Sequence, residues 1–252
     1  MTARTATVTI DERFNLRGKV AAVMGGSGHL CSVLARAMRE SGMEVVLLDL
    51  IESAGSGEFL KCDVTSKINL IRCRDEMLER YGRVDVLLNG AGTNAPTPFF
   101  EIDTEEIERI MGVNLIGTLR ACQVFGEVMV RQRQGSIVNF ASASSGPPLS
   151  KAFVYSAAKA AVVSITQNLA REWAPHNVRV NALRPGFFPT EWSMKHFIDK
   201  EREAMILRHT PMGRFGRPEE LIGAVLWLIS DAASFVTGAL ITVDGGFTAM
   251  TI

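Results

Sequence analysis

Short apolar runs recur along this chain with longer helical patterns between them: VAAVM at 20–24, VVLLD at 45–49, VDVLLN at 84–89, SIVNF at 136–140, VRVNAL at 178–183 and ALITV at 239–243. Strands that are apolar at nearly every residue, rather than at alternate ones, are covered on both faces. Alternating with amphipathic segments, they specify a parallel sheet flanked by helices, the doubly wound α/β architecture of the Rossmann type. The Gly/Ser cluster at 53–57 reads as a turn before a further short strand at Glu58–Lys61, giving seven strands, mostly parallel. No repeat, low-complexity tract or linker divides the chain, so a single domain over 1–252 is expected, with residues 1–15 a loose polar tail. The stretch 190–211 breaks the strand–helix rhythm. Its Trp192, Met194, Lys195, His196 and Phe197 suit a lid over a pocket, because ligands of such sheets bind beyond the strands' carboxyl ends.

Lys plus Arg balances Asp plus Glu at 27 each, so no net field gathers nucleic acid or anionic lipid, and a small molecule is the expected partner. The first residues lack the apolar core of a signal peptide, and nowhere is there an uninterrupted apolar run of the roughly 18 residues a membrane span requires. A soluble cytoplasmic protein is expected. Cys31, Cys62, Cys73 and Cys122 follow no metal-ligand or CxxC spacing and read as small core residues of a reducing compartment. No metal site is expected.

The first strand runs into Met24-Gly25-Gly26-Ser27-Gly28-His29 and then a helical pattern from Leu30 to Arg39. Glycines there let backbone amides approach a pyrophosphate while the helix N-terminus contributes its dipole. Asp49 ends the second strand about 20 residues later, the spacing for a carboxylate that accepts hydrogen bonds from an adenosine ribose and repels a 2′-phosphate. NAD is therefore favoured over NADP. The bland alternatives are a tight turn without a ligand and an Asp49 that merely opens a turn. Asp63 either holds the adenine edge or caps the helix that follows.

Tyr155 and Lys159 stand four residues apart in the helical segment YSAAKAAVVSITQNLAREW and so share one face. A phenol with an ordinary pKa near 10 is a poor base at neutral pH, and an adjacent ammonium is expected to pull it downward. An exposed Tyr beside a solvated Lys would show the same spacing.

With these features in order, the chain resembles the short-chain dehydrogenase/reductase family from Leu16 to Phe247. The matches are the Gly-rich loop, Asp63-Val64, Asn89-Gly90-Ala91-Gly92, Asn114 in a helix, Ser142 ahead of Tyr155 and Lys159, Pro185-Gly186 with Thr190, and Val243-Asp244-Gly245-Gly246. The resemblance implies that Ser142 hydrogen-bonds the substrate oxygen, Tyr155 moves the proton, and Lys159 tunes Tyr155 while binding the nicotinamide ribose. Asn114 would hold a water linking Lys159 to solvent. A different active hydroxyl, Ser144 or Ser145, and an Asn114 that bonds only backbone are the alternatives. The cofactor set it implies comprises Gly25, Ser27, Gly28, His29 and Leu30 in the loop, with Asp49, Asp63 and Val64 at the adenosine and Tyr155 and Lys159 at the nicotinamide half. Asn89, Ala91 and Gly92 would pass beside the adenosine too, while Pro185, Gly186, Phe188 and Thr190 would position the carboxamide.

The family loop usually reads T-G-x-x-x-G-x-G, and Met24, His29 and Cys31 depart from it, which puts the tightness of pyrophosphate contact in question. Cys31 is small enough for close helix–strand packing; His29 either touches a phosphate or points outward. The segment after Asp49 is short, so the usual helix there is expected to be reduced to a turn.

GGSGHLCS, PLSKAFVYSAAKAAV, RPGFFPTE and HTPMGRFGRPEELIGA are similar to the sugar-acid branch of the family, the mannonate oxidoreductase (fructuronate reductase) type. A polyhydroxylated acid needs a cation for its carboxylate and polar groups for its hydroxyls. The candidates are Asn94, Ser144, Lys151, Arg184, Trp192 and His196, with Lys195 nearby. The rival substrate is a 3-oxoacyl thioester or another apolar ketone, favoured if Phe99, Phe100, Trp192, Met194 and Phe197 converge on the pocket. A cofactor-binding protein without turnover is the remaining alternative. Apolar faces around ACQVFGEVMV and AAVVSITQNLA exceed one sheet's needs, and the resemblance implies a homodimer or homotetramer.

Overall fold

A computed structural model describes residues 9–52 and 57–250. Its strands are β1 (Val20–Met24), β2 (Glu44–Asp49), β3 (Glu58–Lys61), β4 (Val86–Asn89), β5 (Gly135–Phe140), β6 (Val178–Pro185) and β7 (Leu240–Val243). They form one sheet in the order β3-β2-β1-β4-β5-β6-β7, with every pairing parallel. The sheet is thus wholly parallel where the sequence pattern gives mostly parallel, and strand direction of winding reverses between β1 and β4. That switch opens a crevice at the carboxyl ends of these strands.

The helices are α1 (Ile10–Arg13), α2 (His29–Glu40), α3 (Lys67–Tyr81), α4 (Thr104–Met111), α5 (Thr118–Gln132), α6 (Phe153–Trp173), α7 (Glu191–His196), α8 (Lys200–His209) and α9 (Ile222–Ile229). Both sheet faces are sealed. On one, Met24, Val46 and Leu87 pack with Leu70, Cys73 and Met77 of α3 and Phe125 and Met129 of α5. On the other, Val23, Leu88 and Val138 meet Leu34 and Met38 of α2 and Val225 and Leu228 of α9. Every residue of β1 and β5 is buried, as continuous apolar runs require. All four cysteines are free and buried in this core.

Ile10–Arg13 of the expected loose tail instead form a helical turn, because Thr9 and Glu12 make a reciprocal capping box; residues 1–8 lie outside the described residues. Of the turn expected at 53–57, only Gly57 is described, with φ +84°. Among the described residues no helix is long and apolar enough to cross a membrane.

Candidate active site

The carboxyl ends of β1, β4, β5 and β6 open into one cleft lined by Gly25, Gly28, His29, Gly92, Ser142, Tyr155 and Lys159. Its cavity volume is ≈ 560 Å³, within the ~300–1,000 Å³ usual for a small-molecule site.

The glycine loop forms the cleft's first wall. Gly25 adopts φ +69°, and a Cβ on it would lie 2.7 Å from the Ala91 backbone, so the loops after β1 and β4 touch at a position that admits no side chain. Gly28 is the N-cap of α2 and offers no side-chain oxygen to the first-turn amides, which stay available to an anion. His29, Leu30 and Cys31 follow and all line the cleft. A Cβ on Gly90 would fall 2.1 Å from the Cys31 sulfur, so the thiol fills the space that this glycine leaves. Burial pushes that thiol up to about 12. Asp49 accepts the Ser27 amide at 3.0 Å and the Leu50 amide at 2.7 Å, and Ser27 donates its hydroxyl to the Ile51 carbonyl at 2.6 Å. The carboxylate therefore stands against the glycine loop.

The chemistry-bearing groups meet on the second wall. Tyr155 and Lys159 lie one turn apart on α6, with the Lys159 nitrogen 5.7 Å from the Tyr155 ring centroid and donating to the Phe140 carbonyl at 2.8 Å. Ser142 ends the extended segment after β5 and caps the short turn Ala143–Ser145. Its hydroxyl accepts from the Ser144 hydroxyl at 3.1 Å, whereas the Ser145 hydroxyl is spent on the Ser142 carbonyl at 2.6 Å. Of the three serines, Ser142 is the one that hydrogen-bonds Tyr155. Asn114 sits in a π-helical turn, Gly112–Gly117, an irregularity that often marks function. Its amide nitrogen donates to the Thr93 and Ile110 carbonyls at 2.7 and 2.9 Å, while its Oδ1 is buried without a protein partner. A Cβ on Gly92 would lie 2.9 Å from that oxygen and 3.8 Å from the Lys159 nitrogen, so only a glycine leaves the gap between them open.

Electrostatics correct one expectation. Burial lowers Lys159 to about 8 and, acting most strongly, raises Tyr155 above its ordinary value, with the Ser142 hydrogen bond opposing the rise. In the chain alone, desolvation of the phenolate outweighs the Ser142 hydrogen bond, and Lys159 is not among the groups that pull Tyr155 downward.

Other expected residues fall differently. Asn89 is not beside the cleft: its amide nitrogen donates to Asn139 Oδ1 at 2.8 Å, and Asn139 in turn donates to Thr166 at 2.9 Å, a buried polar chain tying β4, β5 and α6. Asp63 accepts from the Thr65 amide and hydroxyl at 2.8 and 2.7 Å, and it is Ser66, not Asp63, that caps α3. Val64 packs where a Cβ on Gly117 would be. Pro185, Gly186, Phe188 and Thr190 line the cleft, and a Cβ on Gly186 would strike Asp244, so the Val243–Gly246 motif buttresses that loop from behind.

Among the substrate candidates, Asn94 and Ser144 line the cleft, and Asn94 Oδ1 is buried without a partner. Lys151 is exposed at φ +59° and does not line it. Arg184 also stays outside: its guanidinium lies behind the serine loop, 3.5 Å from where a Cβ on Gly146 would be, and in the field of Asp244. The Trp192 and His196 side chains lie outside the described residues. Phe99 and Phe100 are exposed and turned away, Phe99 stacking edge-on against Phe153 at 5.1 Å, while Phe197 does line the cleft. Sequence reasoning missed Arg202. It enters the cleft from α8 and grips Ser150, a pairing 52 residues apart that no local pattern announces.

Comparison with known proteins places this geometry. A family model described as enoyl-(acyl carrier protein) reductase matches residues 30–248. The chain belongs to the short-chain dehydrogenase/reductase family. It is an oxidoreductase of that family, acting on CH–OH groups. It is 37% identical over 247 residues to an NAD-dependent glycerol dehydrogenase of Listeria innocua, covering 94% of this chain and 97% of that one. A structure assigned as a D-mannonate oxidoreductase of Haemophilus influenzae, with NAD bound, superposes with a TM-score of 0.87 at 33% identity, covering 96% and 99% of the two chains. A gluconate 5-dehydrogenase of Burkholderia cenocepacia, in complex with NADP and tartrate, superposes at 0.90 with 29% identity, covering 95% and 99%.

Proposed function

We propose that the protein is an NAD-dependent dehydrogenase interconverting a secondary alcohol and a ketone on a sugar, sugar acid or polyol. The observation that carries this reading is the convergence of Ser142, Tyr155, Lys159 and the unpartnered Asn114 Oδ1 beside a glycine loop whose helix amides are uncapped. A dinucleotide fits the residues present. Gly25, Gly28, His29 and Leu30 would hold its pyrophosphate, Asp49 and Asp63–Val64 its adenosine, and Pro185–Thr190 with Lys159 its nicotinamide half. Bound there, the nicotinamide supplies the hydride acceptor for alcohol oxidation and the donor for ketone reduction.

The chain's own groups do the proton work. Ser142 donates a hydrogen bond to the substrate oxygen and holds it beside Tyr155. Tyr155 Oη takes the hydroxyl proton in the oxidative direction and returns it in reduction. Lys159, buried and lowered to about 8, exchanges protons near neutrality and favours the phenolate when charged. Asn114 Oδ1, facing Lys159 across Gly92, is the acceptor that carries the relay onward.

Asp49 supports NAD over NADP, because a 2′-phosphate there would meet a carboxylate. Four buried free thiols fit a reducing, cytoplasmic compartment. The exposed Phe99, Phe100, Phe153 and Ile116 fit a homo-oligomer, dimer or tetramer. The rival substrate class, a 3-oxoacyl thioester, draws on the description of the matched family and on Phe187, Phe188 and Phe197 in the cleft. Incubation with NAD⁺ or NADP⁺ and a panel of alditols and aldonates, following reduced nicotinamide, tests the reading. NADH formation on the panel is expected; turnover confined to acyl ketones would replace the substrate class.

A further inference from the structure

Arg202 is the residue of the cleft whose charge the proton chemistry leaves unused. It lies in the first turn of α8, where Asp199 caps the helix by accepting the Arg202 amide at 2.8 Å. Its guanidinium donates to the Ser150 hydroxyl at 2.9 Å and the Ser150 carbonyl at 3.0 Å. Both acceptors are neutral. Among the described residues no carboxylate forms an ion pair with it, and a guanidinium has five N–H donors, more than these two bonds use.

Ser150 belongs to the segment between Ser142 and Tyr155, whose Leu149 and Ala152 also line the cleft. Arg202 thereby lines the same cleft as Ser142 and Tyr155, and His29 lines it from the glycine loop. Lys159 already donates to Phe140 and belongs to the proton relay. No Asp or Glu is among the described cleft-lining residues, so nothing there repels an anion. Asn94 contributes a buried, unpartnered oxygen to the same cleft, an acceptor suited to a hydroxyl.

We propose that Arg202 is the specificity-determining residue of this enzyme, receiving the carboxylate of a polyhydroxy-acid substrate while Asn94 accepts one of its hydroxyls. A planar guanidinium fits a carboxylate with two parallel donors, and a fork already anchored on Ser150 has little freedom left to lose. This inference deepens the function proposed above and rests on it. It also assigns a reason to α8 lying across the cleft: it carries the cation there.

The test uses an aldonate and the alditol of the same carbon skeleton, with kcat and KM measured for wild type, Arg202→Leu, Arg202→Gln and Ser150→Ala. Removing a charge-assisted pair is expected to raise KM for the aldonate about 30-fold. For the alditol in the same variants, KM stays within about 3-fold, because an interaction with the carboxylate is absent there. Ser150→Ala keeps the cation, so the aldonate/alditol ratio should remain near wild type. Equal losses on both substrates would make Arg202 a mere latch between α8 and Ser150, and unchanged kinetics would remove it from the site; either overturns the inference. A wild type that oxidises the alditol but not the aldonate also overturns it while leaving the dehydrogenase reading intact. Silence on both would instead sink that reading.

Discussion

The floor of the cleft and its rim are built on different principles. On the floor, Ser142, Tyr155, Lys159 and Asn114 are set at strand ends and helix turns, each fixed by bonds to backbone or to one another over a sheet sealed on both faces. The rim, from Thr190 to His209, is two short helices whose buried apolar anchors among the described residues are Ile198 and Ile206, with Arg202 reaching back to Ser150. The difference teaches where chemistry and selectivity reside. A proton relay needs sub-ångström constancy and sits on rigid elements; a substrate pocket has to admit and release a ligand and sits on what can move.

If that division is right, floor substitutions cost turnover and rim substitutions cost discrimination. Lys159→Met should reduce kcat by about 10³-fold, since it removes the group that both favours the phenolate and exchanges its proton; loss below tenfold would move the relay elsewhere. Ser142→Ala should cost about 10²-fold in kcat/KM with cofactor affinity unchanged, whereas Ser144→Ala, one hydroxyl further out, should cost much less. Asp49→Ser should swing the NAD⁺ to NADP⁺ preference by about 30-fold, visible in the ratio of kcat/KM values, because a like charge near the 2′-phosphate is removed. At the rim, Thr190→Ala takes away the cap of α7 and should loosen it by about 1 kcal/mol. Its effect should appear in local hydrogen exchange, in the substrate KM and, because Thr190 ends the segment proposed to hold the nicotinamide half, in the cofactor KM.

The pH dependence sharpens the same comparison. Burial raises Tyr155, so in the oxidative direction the phenolate population, and with it the rate, should climb from neutral into alkaline pH, while ketone reduction should weaken over the same range. Lys159, lowered to about 8, adds an alkaline limb that Lys159→Met abolishes. The sign for stability follows separately: the folded chain gives up the Lys159 proton more readily than the unfolded one. That contribution makes the fold more stable as pH rises from about 8 toward the ordinary lysine value.

Much of the fold is legible in the sequence because a strand buried on both faces must be apolar throughout: β1, β2, β4, β5, β6 and β7 fall where the apolar runs lie, while β3, EFLK, is legible only from the turn before it. The Tyr155–Lys159 spacing is equally legible, being a helical period. What sequence could not show is what depends on distance across the chain. Asn89 sits in a stretch that borders the cleft, yet its side chain turns inward because Asn139, paired with it across the sheet, offers the acceptor. Arg184 precedes the carboxamide loop, but alternation along β6 directs it behind the serine loop, toward Gly146. Arg202 gives no signal at all before α8 is seen to cross to Ser150, and the direction of the Tyr155 shift depends on how completely its surroundings exclude water.

The most direct test of the central claim pairs turnover with binding in one protein. Wild type and Tyr155→Phe would be compared for NADH formation on the best aldonate or alditol, and for NAD⁺ affinity by titration of the protein alone. The expected result is a loss of about 10³-fold in rate, with NAD⁺ affinity changed by less than about 3-fold, under one kcal/mol. A variant that keeps most of its activity, or one that loses NAD⁺ binding along with it, would contradict the assignment of Tyr155 as the proton-transferring group.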